Sequence, residues 1–317
     1  MASHHPAFEL LSDREIPEFR ARGLLFRHKA TGCEVYRLVS EDEENSFAFA
    51  FRTPPPDSSG VAHIVEHSVL CGSERYPVKD AFLVMARRSL ATFLNAWTYP
   101  DKTVYPAASA APADYFNLMS VYGDAVFFPR LSEDTFLQEA HHLELSEEGS
   151  LDVKGVVYNE MRGDYSSAES LAATAAATSL FTPGHPYSFD SGGDPEAIPS
   201  LSYEAFKEFW AACYHPSNCR IFLHGNIDTE RQLAFLEERF LGRAEPGKRF
   251  AARKPSPGIP FEPPFAAPRR LEVPCPASEG SEGATTIIVN WLSRPAADAA
   301  EALALEVLSE ILLGHDG

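Results

Sequence analysis

The sequence is poor in several things, and each shortage removes a class of function. It has only five cysteines in 317 residues (Cys33, Cys71, Cys213, Cys219 and Cys275), odd in number, scattered, and without a C-x-x-C pair. That pattern speaks against a disulfide framework or a structural zinc knuckle and for a reducing compartment. Basic residues are scarce too: 27 against 45 acidic, a formal charge of −18. Such a balance argues against nucleic acid or an anionic membrane as the main partner. No uninterrupted apolar run reaches the roughly 18 residues that a membrane span requires. The opening string MASHHPAFELLSDREIPEF lacks a basic start followed by an apolar core, and it carries acids early. A cytoplasmic protein without a secretory or transit signal is therefore expected. No G-x-S-x-G nucleophile motif is present, and Gly192-Gly193-Asp194 has no following Lys-Ser/Thr to make a phosphate loop.

What is present reads as a folded chain, 44% apolar and 23% charged. Residues 33–38 and 46–52 have strand character, the second alternating as Ser-Phe-Ala-Phe-Ala-Phe. An apolar helix is expected over 61–71, stopped by Gly72. Further helices are expected over 78–90, 114–127 and 134–145, with 93–104 extended. A long helix is predicted from near Val156 through the alanine-rich 170–180, because alanine favours helix strongly. Another helix follows at 203–214 and a strand at 220–224. Strands and helices mix without a regular βαβ beat, so the expected class is α+β, with a mixed antiparallel sheet and packed helices.

Nine prolines fall within 246–276, together with a basic cluster, which predicts an extended interdomain linker. Beyond it, 285–292 reads as a strand and 298–313 as a helix. So short a piece cannot bury enough surface to stand alone. The expected organisation is a domain over 1–245, a linker over 246–276 and the beginning of a second, similar domain over 277–317, the whole being an N-terminal fragment.

The chemistry concentrates in Gly60-Val-Ala-His63-Ile-Val-Glu66-His67-Ser-Val-Leu-Cys71. Two histidines four apart lie on one face of a helix, one turn from each other, and can bind a single metal ion. Glu66, three residues after His63, lies near that face and can reach a water on the metal. This is H-x-x-E-H, the inverse of H-E-x-x-H. Neutral imidazole suits Zn²⁺. Bound zinc lowers the pKa of its water to about 7 and polarises a carbonyl. A neighbouring carboxylate can take the water's proton and return it to a leaving amine. The surrounding Val61, Ile64, Val65, Val69 and Leu70 make a buried helix, where an unpartnered Glu66 would cost several kcal/mol.

A catalytic zinc takes a third protein ligand. Glu139, Glu144, Glu147, Glu160, Asp164, His141 and His142 are all candidates, and spacing does not choose among them. His4-His5 and His141-His142 read more simply as surface or structural histidines, and Cys71 as a small buried hydrophobe one turn past His67.

Five strings together, FRTPPPDSSGVAHIVEHSVLCGSERYPVKDAF, SLATFLNAWTYPDKTVYP, KGVVYNEMRGDYS, YSFDSGGDP and YHPSNCRIFLHGN, occur in order between Phe51 and Asn226. In these the sequence resembles the pitrilysin/insulinase family of metallopeptidases, most closely its presequence-protease branch. The resemblance implies one Zn²⁺ per chain held by His63, His67 and Glu160, with Glu66 as general base. It implies that Asn95, Ala96 and Trp97 lie on an edge strand to which an unfolded peptide adds by backbone hydrogen bonds. The expected activity is hydrolysis of short unstructured peptides. Members of this branch are long chains whose two halves close around a peptide. A C-terminal half, in cis or in trans, is accordingly an expected partner, and an incomplete, non-catalytic half is the alternative.

Overall fold

A computed structural model describes residues 5–79, 81–146, 149–243, 258–276, 285–292 and 298–314. The chain opens with strands β1 (Phe8–Ile16), β2 (Ala21–His28), β3 (Glu34–Val39) and β4 (Asn45–Arg52). Helices α1 (Val61–Val69) and α2 (Ala81–Arg88) follow, then strands β5 (Ala91–Leu94), β6 (Trp97–Thr98) and β7 (Lys102–Ser109). Next come α3 (Pro112–Phe127), α4 (Glu133–Glu139), β8 (His142–Leu145), β9 (Leu151–Lys154), α5 (Val156–Asp164) and α6 (Ala168–Thr178). The series ends with α7 (Tyr203–Cys213), β10 (Cys219–Gly225), α8 (Thr229–Arg239) and α9 (Ala299–Leu313). No helix among the described residues is long and apolar enough to cross a membrane.

The expected α+β class holds. Eight strands form one mixed sheet in the order β1-β2-β3-β10-β4-β7-β5, with β6 also paired to β7. Among the described residues only the β3–β10 pair of this sheet is parallel, and its other pairs are antiparallel. The alternation of β4 puts Phe47, Phe49 and Phe51 on one face, each at most 1% exposed. Helix α3 covers that face with Tyr115, Tyr122 and Phe127, whose rings meet the phenylalanines edge to face. Each such burial stabilises by about 1.5–3 kcal/mol, and edge-to-face geometry adds about 0.5–1.5 kcal/mol per pair. Helix α1 is sunk in the same layer, with Val61, Ile64, Val65 and Val69 buried.

Several expectations needed correction. The helix foreseen over 134–145 stops at Glu139, and His142–Leu145 pairs instead with β9. The turn into α5 crosses Ala140 so closely that a Cβ on Gly155 would lie 2.1 Å from the Ala140 carbonyl oxygen. The long helix after Val156 is two, because Ser167 caps α6 by accepting from Ser170 N. The stretch 93–104 holds parts of three strands rather than one. Residues 285–292 form no strand: Ile287 and Val289 are largely exposed, and no ladder partner lies beside them among the described residues. Of the proline-rich stretch, 246–257 lies outside the described residues, and 258–276 carries neither helix nor strand.

Candidate metal centre

Helix α1 begins at Gly60, whose φ of +69° suits glycine. A Cβ there would meet the Gly192 carbonyl oxygen at 2.7 Å and Gly193 Cα at 2.9 Å. The loop 190–194 is thus packed backbone to backbone against the start of α1. That contact orients the first histidine, because His63 Nδ1 lies 3.0 Å from the Gly192 oxygen. A carbonyl only accepts, so Nδ1 carries the hydrogen and Nε2 presents its lone pair. His67 is turned in the same manner by a buried carboxylate, with Nδ1 3.3 Å from Glu139 Oε2. Glu139 Oε1 in turn accepts from Gln138 Nε2 at 2.8 Å and from the Cys71 thiol at 3.5 Å.

Both Nε2 atoms face Glu160 on α5. Its Oε1 is 3.9 Å from His63 Nε2 and its Oε2 is 3.8 Å from His67 Nε2. The rings stand at 81° with centroids 4.8 Å apart. One ligand atom from each of the three residues lies within 4.8 Å of the others. Two imidazole nitrogens and a carboxylate thus converge at separations too long for hydrogen bonds. A cation resolves that convergence, and the donor set His₂Glu is one that catalytic zinc uses. The residues fit the ion. The charge of the site registers on His67, whose pKa lies above the usual 6.5. Burial works to lower it, but the hydrogen bond to Glu139 and the charges of Glu66, Glu139 and Glu160 outweigh that.

Glu66 is buried on α1, and its Oε2 accepts a 2.6 Å hydrogen bond from Thr98 Oγ1 on β6. Burial, and after it the Glu66 charge, raises the Tyr122 phenol, so that hydroxyl stays protonated. Tyr122 donates it to the Asn95 carbonyl at 3.1 Å. Asn95 also donates its own N–H to the Pro106 carbonyl, and its side-chain oxygen accepts from Ala96 N. Ala96 and Trp97 continue along the edge into β6, and Trp97 is exposed.

The other acids and histidines weighed as a third ligand stand elsewhere. Glu139 is the partner of His67 Nδ1. His141 Nε2 faces the Leu201 carbonyl at 3.0 Å, and His142 Nδ1 faces that of Leu137 at 2.7 Å. Glu144 and Asp164 are exposed and outside the cluster. His4 lies outside the described residues, and so does Glu147.

Two family models match the sequence: "Insulinase (Peptidase family M16)" over residues 52–175 and "Peptidase M16 inactive domain" over 200–316. Presequence protease 1, chloroplastic/mitochondrial, from Arabidopsis thaliana is 45% identical over 316 residues, covering 97% of this chain and 28% of that protein. The mitochondrial presequence protease of Mus musculus is 41% identical over 305 residues, 94% of this chain and 29% of its own length. The chain belongs to the insulinase family of peptidases.

This insulinase-family chain also resembles the crystal structure of pitrilysin, with a TM-score of 0.59 at 17% identity, over 81% of this chain and 26% of that one. It spans under a third of the length of the curated relatives it matches. Three contributors to the centre were not foreseen from its sequence: the Gly192 carbonyl, the Glu139 carboxylate as a partner of His67, and the Thr98 hydroxyl. The first acts through main chain, so no residue type signals it. The other two depend on pairings across 72 and 32 residues.

Proposed function

We propose that this chain is the metal-binding part of a zinc-dependent endopeptidase that hydrolyses short unstructured peptides in the manner of a presequence protease. The carrying observation is the convergence of His63 Nε2, His67 Nε2 and the Glu160 carboxylate within 4.8 Å of one another, with Glu66 between the two histidines on the same helix. His63, His67 and Glu160 would hold the ion. Zinc, when bound, supplies Lewis acidity and lowers the pKa of water.

The remaining work falls to side chains of this chain. Glu66 takes a proton from the attacking water and returns it to the leaving nitrogen. Asn95, Ala96 and Trp97 lie on the sheet edge, and a peptide laid there would be held through its main chain, with little regard to its sequence. The names of the relatives support this reading for the substrate class.

A second reading is favoured by coverage: the chain matches under a third of those relatives, and an inactive-domain model matches 200–316. On it, 1–245 is the zinc peptidase domain, 246–276 a linker and 277–317 the start of a related domain. Turnover then needs a C-terminal half in cis or in trans.

Metal content of the purified chain, with cleavage of a quenched fluorescent peptide with and without chelator, separates the two. One zinc with chelator-sensitive turnover supports an active part. One zinc without turnover supports the incomplete half. Absence of zinc after reconstitution overturns both.

A further inference from the structure

Thr98 sits where two requirements meet. Its Oγ1 donates to Glu66 Oε2 at 2.6 Å, and its main chain belongs to β6, which among the described residues pairs with β7 alone. The bonds toward β7 come from odd-numbered residues: Asn95 N to the Pro106 oxygen at 3.3 Å and Tyr99 N to the Lys102 oxygen at 2.8 Å. The register Trp97↔Val104 and Thr98↔Thr103 keeps the same phase. Main-chain groups of successive residues in a strand point to opposite sides, so those of Ala96 and Thr98 face the outer edge. Ala96 N–H is engaged by the Asn95 side chain at 2.9 Å. Thr98 therefore carries an outward backbone pair, while its side chain reaches inward to the buried carboxylate.

We propose that Thr98 is a positioning residue that couples docking of a peptide strand to the orientation of Glu66. A β-branched side chain is stiff about χ1, so fixing the Thr98 backbone fixes the direction of its Oγ1. A peptide that pairs with the outer edge of β6 restrains that backbone, and the 2.6 Å bond passes the restraint to the Glu66 carboxylate. An unpaired outer edge leaves that backbone restrained from the β7 side alone. The inference rests on the peptidase reading above and adds to it a substrate-dependent alignment of the base.

The test uses the full-length protein with Thr98→Val, which keeps shape and loses the donor, and Thr98→Ser, which keeps the donor. Glu66→Gln serves as control. Thr98→Val is expected to lower kcat about 10- to 100-fold, the loss of a hydrogen bond to a charged group, with KM and zinc content unchanged. Thr98→Ser, which keeps the donor but loses the branch that stiffens χ1, is expected to restore part of kcat. In the metal-free chain, ¹³C NMR of the Glu66 carboxyl, assigned by its loss in Glu66→Gln, should shift in Thr98→Val and hold in Thr98→Ser. Should Thr98→Val not fold, Thr98→Ala carries the same expectations. Wild-type kcat in the valine variant, an equal defect in the serine variant, or an unmoved carboxyl signal overturns the coupling. Normal turnover by Glu66→Gln would instead overturn the peptidase reading on which it rests.

Discussion

His67 Nδ1 lies 3.3 Å from Glu139 Oε2, and this contact aims Nε2 of the same ring at Glu160. A carboxylate behind a ligating imidazole fixes its tautomer and raises its basicity, and losing such a partner costs about 10–100-fold in metal affinity. Glu139→Ala should show a loss of that size in a chelator-competition titration with zinc. Glu139→Gln, which can still accept from Nδ1–H, should lose less.

Glu160→Ala removes the only carboxylate that faces both Nε2 atoms among the described residues. Zinc affinity should fall by an order of magnitude or more, because one of the three proposed ligands is gone. Unchanged affinity would show that another acid completes the site.

On the proposed mechanism, Glu66→Gln keeps all three zinc ligands but removes the base. Zinc stoichiometry should be unchanged, while turnover of a fluorescent peptide by the full-length protein falls by about 10²–10⁴-fold.

Proton competition gives a further expectation. In the metal-free centre His67 holds its proton above the usual 6.5. A raised folded-state value means that protonation stabilises the fold at low pH, and that this contribution disappears as pH rises through the raised value. Zinc needs the unprotonated nitrogen, so its affinity should weaken by up to about tenfold per pH unit below that value. Zinc titrations at pH 6, 7 and 8 would reveal the slope, and a flat profile would remove His67 from the ligand set.

Gly193 stands at φ +110°, and a Cβ there would come within 2.9 Å of Gly60 Cα. Gly193→Ala should cost about 1–3 kcal/mol of stability from backbone strain alone, measured by urea unfolding. Zinc affinity should fall with it, because the Gly192 carbonyl that orients His63 must move.

The parts of the site legible in the sequence were those written in local spacing. His63, Glu66 and His67 share a helix face because three and four residues make about one turn, and the alternating phenylalanines of β4 announce a half-buried strand. Glu160 was one of several candidate acids, because nothing in its own segment says that α5 brings it opposite α1. The hairpin β1–β2 escaped notice because its first strand, Phe-Glu-Leu-Leu-Ser-Asp-Arg-Glu-Ile, lies at the sheet edge with mostly exposed side chains and no clean alternation. Helix α8 went unforeseen although Gln232, Leu233 and Leu236 make its buried stripe. The strand foreseen at 285–292 failed for the opposite reason: an apolar run is a strand only where a neighbour supplies the ladder.

The parallel pairing of β10 with β3 has a consequence for synthesis. The strand made at residues 219–225 inserts between β3 and β4, made at 34–39 and 45–52. A nascent chain that has displayed the whole H-x-x-E-H segment still has a gap in its sheet, and more than 150 residues must follow before the gap is filled. Closure at such sequence distance is slow and leaves strand edges open to wrong partners. Ribosome-stalled chains ending before residue 219 should therefore engage chaperones and resist native docking of α1, whereas those extending well past residue 225 should be released.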